Sequence, residues 1–130
     1  MIRHLSVEQV LDLHHRLFRE FGGSSGLRDR GLLESAVVRP GATFDGEDLY
    51  RDITAKAAAL MESLVVNHAF VDGNKRIGAA AAEWFIELNG ARLDASDADL
   101  YDVTMSVARG ELAAEQLTIW FRQRIVTPFR

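Results

Sequence analysis

Two apolar helical stripes on either side of a short polar stretch constrain the fold of this chain most. The first stripe runs from Ile53 to Val65 and the second from Ile77 to Leu88, both with the three- and four-residue spacing of one helix face. We therefore expect one helix from roughly residue 48 to residue 67 and another over residues 74–89. His68 continues the first stripe, so we expect its side chain to point inward, toward the second helix.

The rest of the chain also has mostly helical periodicity. Caps and stop signals predict four more helices: one capped by Ser6 with Gln9, a short one between Asp29 and Pro40, one from Ser96 to about Val107, and a last one carrying Leu117, Trp120, Phe121 and Ile125. Residues 40–47 read as a loop and are the only candidate for a short strand hairpin. The sequence predicts an all-α fold, a compact single domain over residues 1–130 with about six helices.

Composition limits the classes of function. The 130 residues carry a formal net charge of −4 and no cysteine, which argues against sequence-independent nucleic-acid binding and excludes disulfide and thiolate chemistry. No apolar run is long enough to span a membrane, and the first residues lack the apolar core of a signal peptide. We expect a soluble, cytoplasmic protein that binds neither a membrane nor nucleic acid directly.

The polar stretch between the two stripes reads His-Ala-Phe-Val-Asp-Gly-Asn-Lys-Arg over residues 68–76. Lys75 and Arg76 fall in the first turn of the second helix, where the helix dipole disfavours each cation by roughly 0.3–1 kcal/mol. An anion held by the free backbone N–H groups of that turn would explain both cations. The stretch therefore indicates a phosphate site.

Each residue of this stretch has a predicted role at a nucleotide. Gly73 allows close backbone approach, Asn74 donates from its amide, and Lys75 and Arg76 neutralise phosphate charge. Asp72 is a ligand for Mg²⁺, and His68 is a general base for an incoming hydroxyl. Structural roles compete with these: His68 as a core residue, Asp72 as a helix cap, and the two cations as a solvated turn.

The same nine residues resemble a known signature. They are similar to the Fic-domain motif His-Pro-Phe-x-Asp/Glu-Gly-Asn-Gly-Arg-x-x-Arg, and more so to the death-on-curing (Doc) branch, His-x-Phe-x-Asp-x-Asn-Lys-Arg. The glycine-rich residues 22–36, the chain length and the Asn89-Gly90 helix end extend the resemblance over most of the chain. Lys75 and Ala79 depart from general Fic proteins and match the Doc branch. Ala69 replaces the Fic proline, and Gly73 is Fic-like where Doc has alanine.

The resemblance implies a toxin that transfers the γ-phosphate of ATP to a protein hydroxyl, with elongation factor Tu as the expected target. Translation would stop, and a Phd-like antitoxin would neutralise the toxin in trans. His68, Asp72 and Arg76 would be the catalytic residues, Asp72 the Mg²⁺ ligand, and residues 73–76 the nucleotide binders. The loop over residues 40–47 corresponds to the family's flap, which lines up the target. AMP transfer and a catalytically silent binding module of a toxin–antitoxin complex are the alternatives.

Overall fold

The computed structural model describes residues 1–127 and contains six α-helices, one antiparallel hairpin and one further antiparallel pair of strands. The helices are α1 (Val7–Phe21), α2 (Arg30–Val38), α3 (Ile53–Asn67), α4 (Asn74–Leu88), α5 (Asp97–Ala108) and α6 (Ala114–Arg122). A single 3₁₀ turn, Arg39–Gly41, follows α2. The strands are β1 (Thr43–Phe44), β2 (Glu47–Asp48), β3 (Arg92–Leu93) and β4 (Ile125–Val126), paired β1–β2 and β3–β4. The predicted helical fold is confirmed.

Side-chain caps set where most helices begin. The Ser6 hydroxyl accepts the Gln9 backbone N–H, and the Gln9 side chain accepts the Ser6 backbone N–H, which completes the predicted capping box. Ser96 caps α5 as expected. The predicted start of α3 near residue 48 is wrong, because Asp52 caps the helix at Ile53 and residue 48 lies in β2.

Helix α3 lies at the centre of the bundle and packs most extensively against α4. Its buried residues include the small Ala57, Ala58 and Ala59, which let neighbouring helices approach closely. At the crossing with α4, a Cβ atom added to Gly78 would lie 2.4 Å from Cγ2 of Val65. The close crossing of α3 and α4 therefore depends on a glycine at position 78. This crossing fixes the C-terminal end of α3 beside the N-terminal end of α4.

The β1–β2 hairpin confirms the strand hairpin predicted near residues 40–47. Asp45 and Gly46 both have positive φ, 57° and 81°, as a two-residue turn of the hairpin type requires. The buried Lys56 ammonium holds the base of the hairpin. It donates to the Pro40 carbonyl (3.2 Å), to the Tyr50 carbonyl (2.6 Å) and to the Asp48 carboxylate (3.2 Å).

The β3–β4 pair, whose strands are separated in sequence by α5 and α6, was not predicted. Leu93 pairs with Ile125, so the prediction that Ile125 belongs to the last helix is wrong. Helix α6 ends at Arg122, and two strands of two residues each are too short to show an alternating pattern. Across residues 1–127, no helix has both the length and the apolar character that crossing a membrane requires.

Candidate active site

The loop between α3 and α4 is anchored to the segment that follows α1. The Val71 N–H donates to the Gly26 carbonyl (3.1 Å), and the Arg28 and Asp29 N–H groups donate to the Ala69 carbonyl (2.8 and 2.9 Å). Leu27 and Phe70 form an antiparallel bridge there. These bonds satisfy the loop backbone although the loop belongs to no sheet, so the polar residues at its end are held at a defined position.

His68 ends α3 in the left-handed conformation, with φ 55° and ψ 49°. The Arg28 guanidinium donates to its carbonyl (2.7 Å) and to that of Asn67 (3.3 Å), which satisfies the open end of the helix. The predicted inward orientation of His68 is wrong, because the side chain is exposed. The left-handed turn takes the chain off the helix before the stripe can continue.

Asn74 is buried and ties the loop to the first turn of α4. Its amide oxygen accepts the Phe70 N–H (3.1 Å), and its amide nitrogen donates to the Phe70 carbonyl (3.0 Å). Both polar atoms of the amide are therefore engaged within the protein. The predicted contact between this amide and a phosphate stays a prediction, whereas its role in shaping the loop is observed.

Asp72 presents an exposed carboxylate at the start of α4. Its two oxygens accept the Ser24 N–H (3.2 Å) and the Gly73 N–H (2.8 Å). These hydrogen bonds, together with the charges of Arg76 and His14, lower the pKa of Asp72 below its usual value. The group is thus an anion near neutral pH, and each oxygen keeps a lone pair directed away from its N–H partner.

Asp72 fits the chemistry of a magnesium ligand only in combination with other oxygen donors. Residues 1–127 contain no cluster of three or more metal-binding side chains. Mg²⁺ is commonly held by one or two carboxylates together with substrate phosphates and water, rather than by a complete protein cage. A single exposed aspartate beside the predicted phosphate site therefore suits a metal that arrives with a nucleotide.

Lys75 and Arg76 are both exposed on the first turn of α4. Neither forms a salt bridge with a carboxylate in the described part of the chain. The Arg76 guanidinium lies 4.7 Å from the centre of the Phe21 ring, a cation–π contact with the last residue of α1. Gly73, with φ 79°, occupies the cap position and provides no side chain there. The cations and the helix N-terminus are therefore open to an anion.

Two open depressions flank this turn. One of about 270 Å³ is lined by His68, Asp72 and Lys75, with Val65, Val71 and Ala108 around them. The other, of about 230 Å³, is lined by Phe21, Gly23, Lys75 and Arg76. Residues 72–75 line both. Of these two depressions, His68 lines only the first and Arg76 only the second, whereas Asp72 and Lys75 line both.

Three residues that support this site were not predicted to do so. Arg28 caps α3, as described above, and its position after the glycine-rich stretch gave no signal of that role. A Cβ atom at Gly23 would lie 2.7 Å from Oδ2 of Asp72, so a glycine is needed beside the carboxylate. His14 is buried and packs against the loop through Phe70.

Comparison with known proteins agrees with this architecture. A sequence model of the Fic/DOC family matches residues 4–86, which include α1, the anchored loop and most of α4. The chain therefore belongs to the Fic/Doc family, as the resemblance of residues 68–76 predicted.

Two relatives show different extents of similarity. The chain is 54% identical over 80 residues to the protein named Toxin Doc from Mycolicibacterium smegmatis, a match that covers 62% of this chain and 61% of that protein. It is 29% identical over 122 residues to the protein named Protein kinase doc from Escherichia phage P1, covering 94% of this chain and 95% of that protein.

Proposed function

We propose that this protein is a Doc-like toxin that transfers the γ-phosphate of ATP to a hydroxyl of a translation factor, with elongation factor Tu as the expected target. One observation carries the proposal. An exposed histidine, an anionic aspartate and a lysine with no carboxylate partner among residues 1–127 line one depression at the open N-terminus of α4. The names of the two relatives, a toxin and a protein kinase, support the same function.

The reaction assigns a role to each side chain. The acceptor oxygen forms a bond to the γ-phosphorus while the bond from that phosphorus to ADP breaks. His68 takes the proton of the acceptor hydroxyl as general base. Lys75 and Arg76, with the N–H groups of the α4 first turn, stabilise the charge on the phosphate oxygens. Mg²⁺ would be held by Asp72 and the nucleotide, and when bound it supplies further charge neutralisation.

Lys75 is the residue that favours phosphate transfer over AMP transfer. Its side chain lies where general Fic proteins have a glycine that makes room for the nucleotide phosphates, and it lines both depressions around the turn. Ala79 stands where the same proteins have their second arginine. A cation in the space of that glycine favours a different placement of the phosphate chain, with the γ-phosphate next to the acceptor.

The toxin would be neutralised in trans by a Phd-like antitoxin. The sequence contains no convincing inhibitory helix of the Fic type. A partner segment that covers the exposed first turn of α4 would block nucleotide and target together. A flexible antitoxin tail that folds on binding is the kind of partner that suits an open site.

The experiment that tests the reaction uses two labels. The purified chain is incubated with Mg²⁺, elongation factor Tu and ATP labelled in parallel at the α- or the γ-phosphate. Label on the target from the γ position alone supports the proposed kinase, and label from the α position would establish AMP transfer instead. His68→Ala is expected to abolish transfer while unfolding at nearly the same temperature. Absence of label on the target with either nucleotide would refute the proposed substrate.

A further inference from the structure

His14 reaches the active-site loop from the middle of α1. Only 6% of the residue is exposed. Its ring stacks on the Phe70 ring with 3.8 Å between centroids and 10° between planes. Its Nε2–H donates to the backbone carbonyl of Asp72 at 2.8 Å, across 58 residues of sequence. A single side chain therefore contacts the loop at a buried ring and at the peptide group that precedes Gly73.

That peptide group determines how the Asp72 carboxylate is held. The Asp72 carbonyl and the Gly73 N–H belong to one planar unit, so fixing the carbonyl also fixes the direction of the N–H. The Gly73 N–H donates back to Oδ1 of Asp72 at 2.8 Å. Because the carbonyl accepts a hydrogen bond from His14, this N–H stays directed at the carboxylate.

Steric restriction does not lock this peptide. Gly73 has φ 79°, and glycine adopts negative φ about as readily as positive φ. Rotation of the 72–73 peptide would turn the N–H away from the carboxylate at little steric cost. The bonds from Asn74 and from residues 26–29 hold residues 69–71. The Ser24 N–H holds Oδ2 of Asp72 (3.2 Å), but none of these bonds reaches the 72–73 peptide.

We propose that His14 is a positioning residue that locks the 72–73 peptide and so holds the Asp72 carboxylate in place for a nucleotide-bound metal. The lock on the peptide concerns the free protein alone, whereas the role for a nucleotide-bound metal rests on the proposed function. The residue does not touch substrate and takes no part in proton transfer.

Two substitutions separate the hydrogen bond from the stacking. His14→Phe keeps an aromatic ring against Phe70 and removes the donor. His14→Gln removes the ring and keeps an N–H donor at a similar distance from the backbone. His15→Phe is the matched control, because His15 is the exposed neighbour on the same helix. Thermal unfolding verifies that each variant is folded.

The first measurement is amide proton exchange of Gly73 by NMR, in the free protein with a chelator and no nucleotide. We expect exchange about tenfold faster in His14→Phe, as the loss of one hydrogen bond allows, and close to the parent rate in His14→Gln and His15→Phe. Unchanged exchange in a folded His14→Phe variant would overturn the proposal. If that variant does not fold, His14→Gln decides, because loss of protection despite a retained donor contradicts the peptide lock.

The second measurement is binding of magnesium and a non-hydrolysable ATP analogue by calorimetry. We expect His14→Phe to weaken binding about tenfold in the parent chain and to have no further effect in an Asp72→Asn background. An equal loss in both backgrounds would mean that His14 acts on the fold in general and not through Asp72. If the parent chain does not bind the nucleotide, the proposed function fails, and the exchange rate of Gly73 still decides the role of His14.

Discussion

A methyl group added at Gly78 should separate the two helices that carry the site. Its Cβ would lie 2.4 Å from Cγ2 of Val65 and 3.3 Å from the Met61 carbonyl oxygen. Val65 is buried and β-branched, so it has few alternative rotamers, and the carbonyl is part of the α3 backbone. The helices must therefore move apart, and His68, three residues after Val65, would move relative to the first turn of α4.

The magnitude follows from two opposing effects. Overpacking a core site destabilises by about 1–3 kcal/mol, whereas replacing glycine by alanine inside a helix stabilises by about 0.8–1.0 kcal/mol. Because the contact is far below van der Waals distance, we expect Gly78→Ala to lower the free energy of unfolding by about 1–2 kcal/mol. The corresponding loss in Tm is roughly 3–10 °C.

Chemical denaturation of four variants measures this effect with its controls. Gly31→Ala is the matched control, because Gly31 is an exposed glycine in helix α2, and it should be stabilising. Val65→Ala alone should destabilise, and combined with Gly78→Ala it should restore part of the loss, since the clashing methyl group is gone. If Gly78→Ala is as stable as the parent chain, or if its effect simply adds to that of Val65→Ala, the reasoning about the crossing is wrong.

Three further predictions concern the site and the hairpin. The lowered pKa of Asp72 implies a contribution to stability that is present above about pH 4 and is lost as the pH falls through the native pKa. In unfolding experiments across this range, the parent chain should be more stable than Asp72→Asn above about pH 4 and should lose that advantage in acid. Lys56→Met should lower the free energy of unfolding by about 1–3 kcal/mol, because two carbonyls and a carboxylate lose their shared donor. Hydrogen exchange of the Leu49 amide, which bonds to Ala42, should accelerate in that variant, and an unchanged rate would contradict the proposed anchoring of the hairpin. His68→Gly should abolish transfer yet raise the free energy of unfolding by about 0.5–1 kcal/mol, because glycine adopts the left-handed conformation without strain. A lower free energy of unfolding, measured by denaturation, would contradict this account.

The helices were predictable because their signals are local. Ser6, Ser96 and the Asn89-Gly90 end each act within one turn of the helix that they bound, and the structure has them where the sequence placed them. The start of α3 was predicted wrongly although Asp52 carries the same kind of local cap signal. The cap rules could not show that residues 47–48 pair with residues 43–44 in a hairpin and so lie outside the helix.

The candidate site was predictable as a set of residues and only partly as a geometry. The spacing of residues 68–76 correctly placed Lys75 and Arg76 on the first turn of α4. It could not show that the Asn74 amide is engaged by Phe70. It also could not show that His14, far away in sequence, would hold the Asp72 carbonyl, because a histidine on an apolar stripe has the same pattern whether it packs on a core or on a loop.

The end of α3 and the first turn of α4 combine features that each work against the stability of the free protein. His68 has a left-handed backbone without being glycine, and Lys75 and Arg76 lie at the positive end of a helix with no carboxylate paired to them in residues 1–127. A polyanion bound at this turn would interact favourably with both cations and with the positive end of the helix, which offsets the unfavourable cation–dipole interactions. Nucleotide binding should therefore stabilise the fold, by an amount that increases with the logarithm of the nucleotide concentration above Kd. The unfavourable charge interactions of the free chain are what we would expect of a turn that binds an anionic ligand.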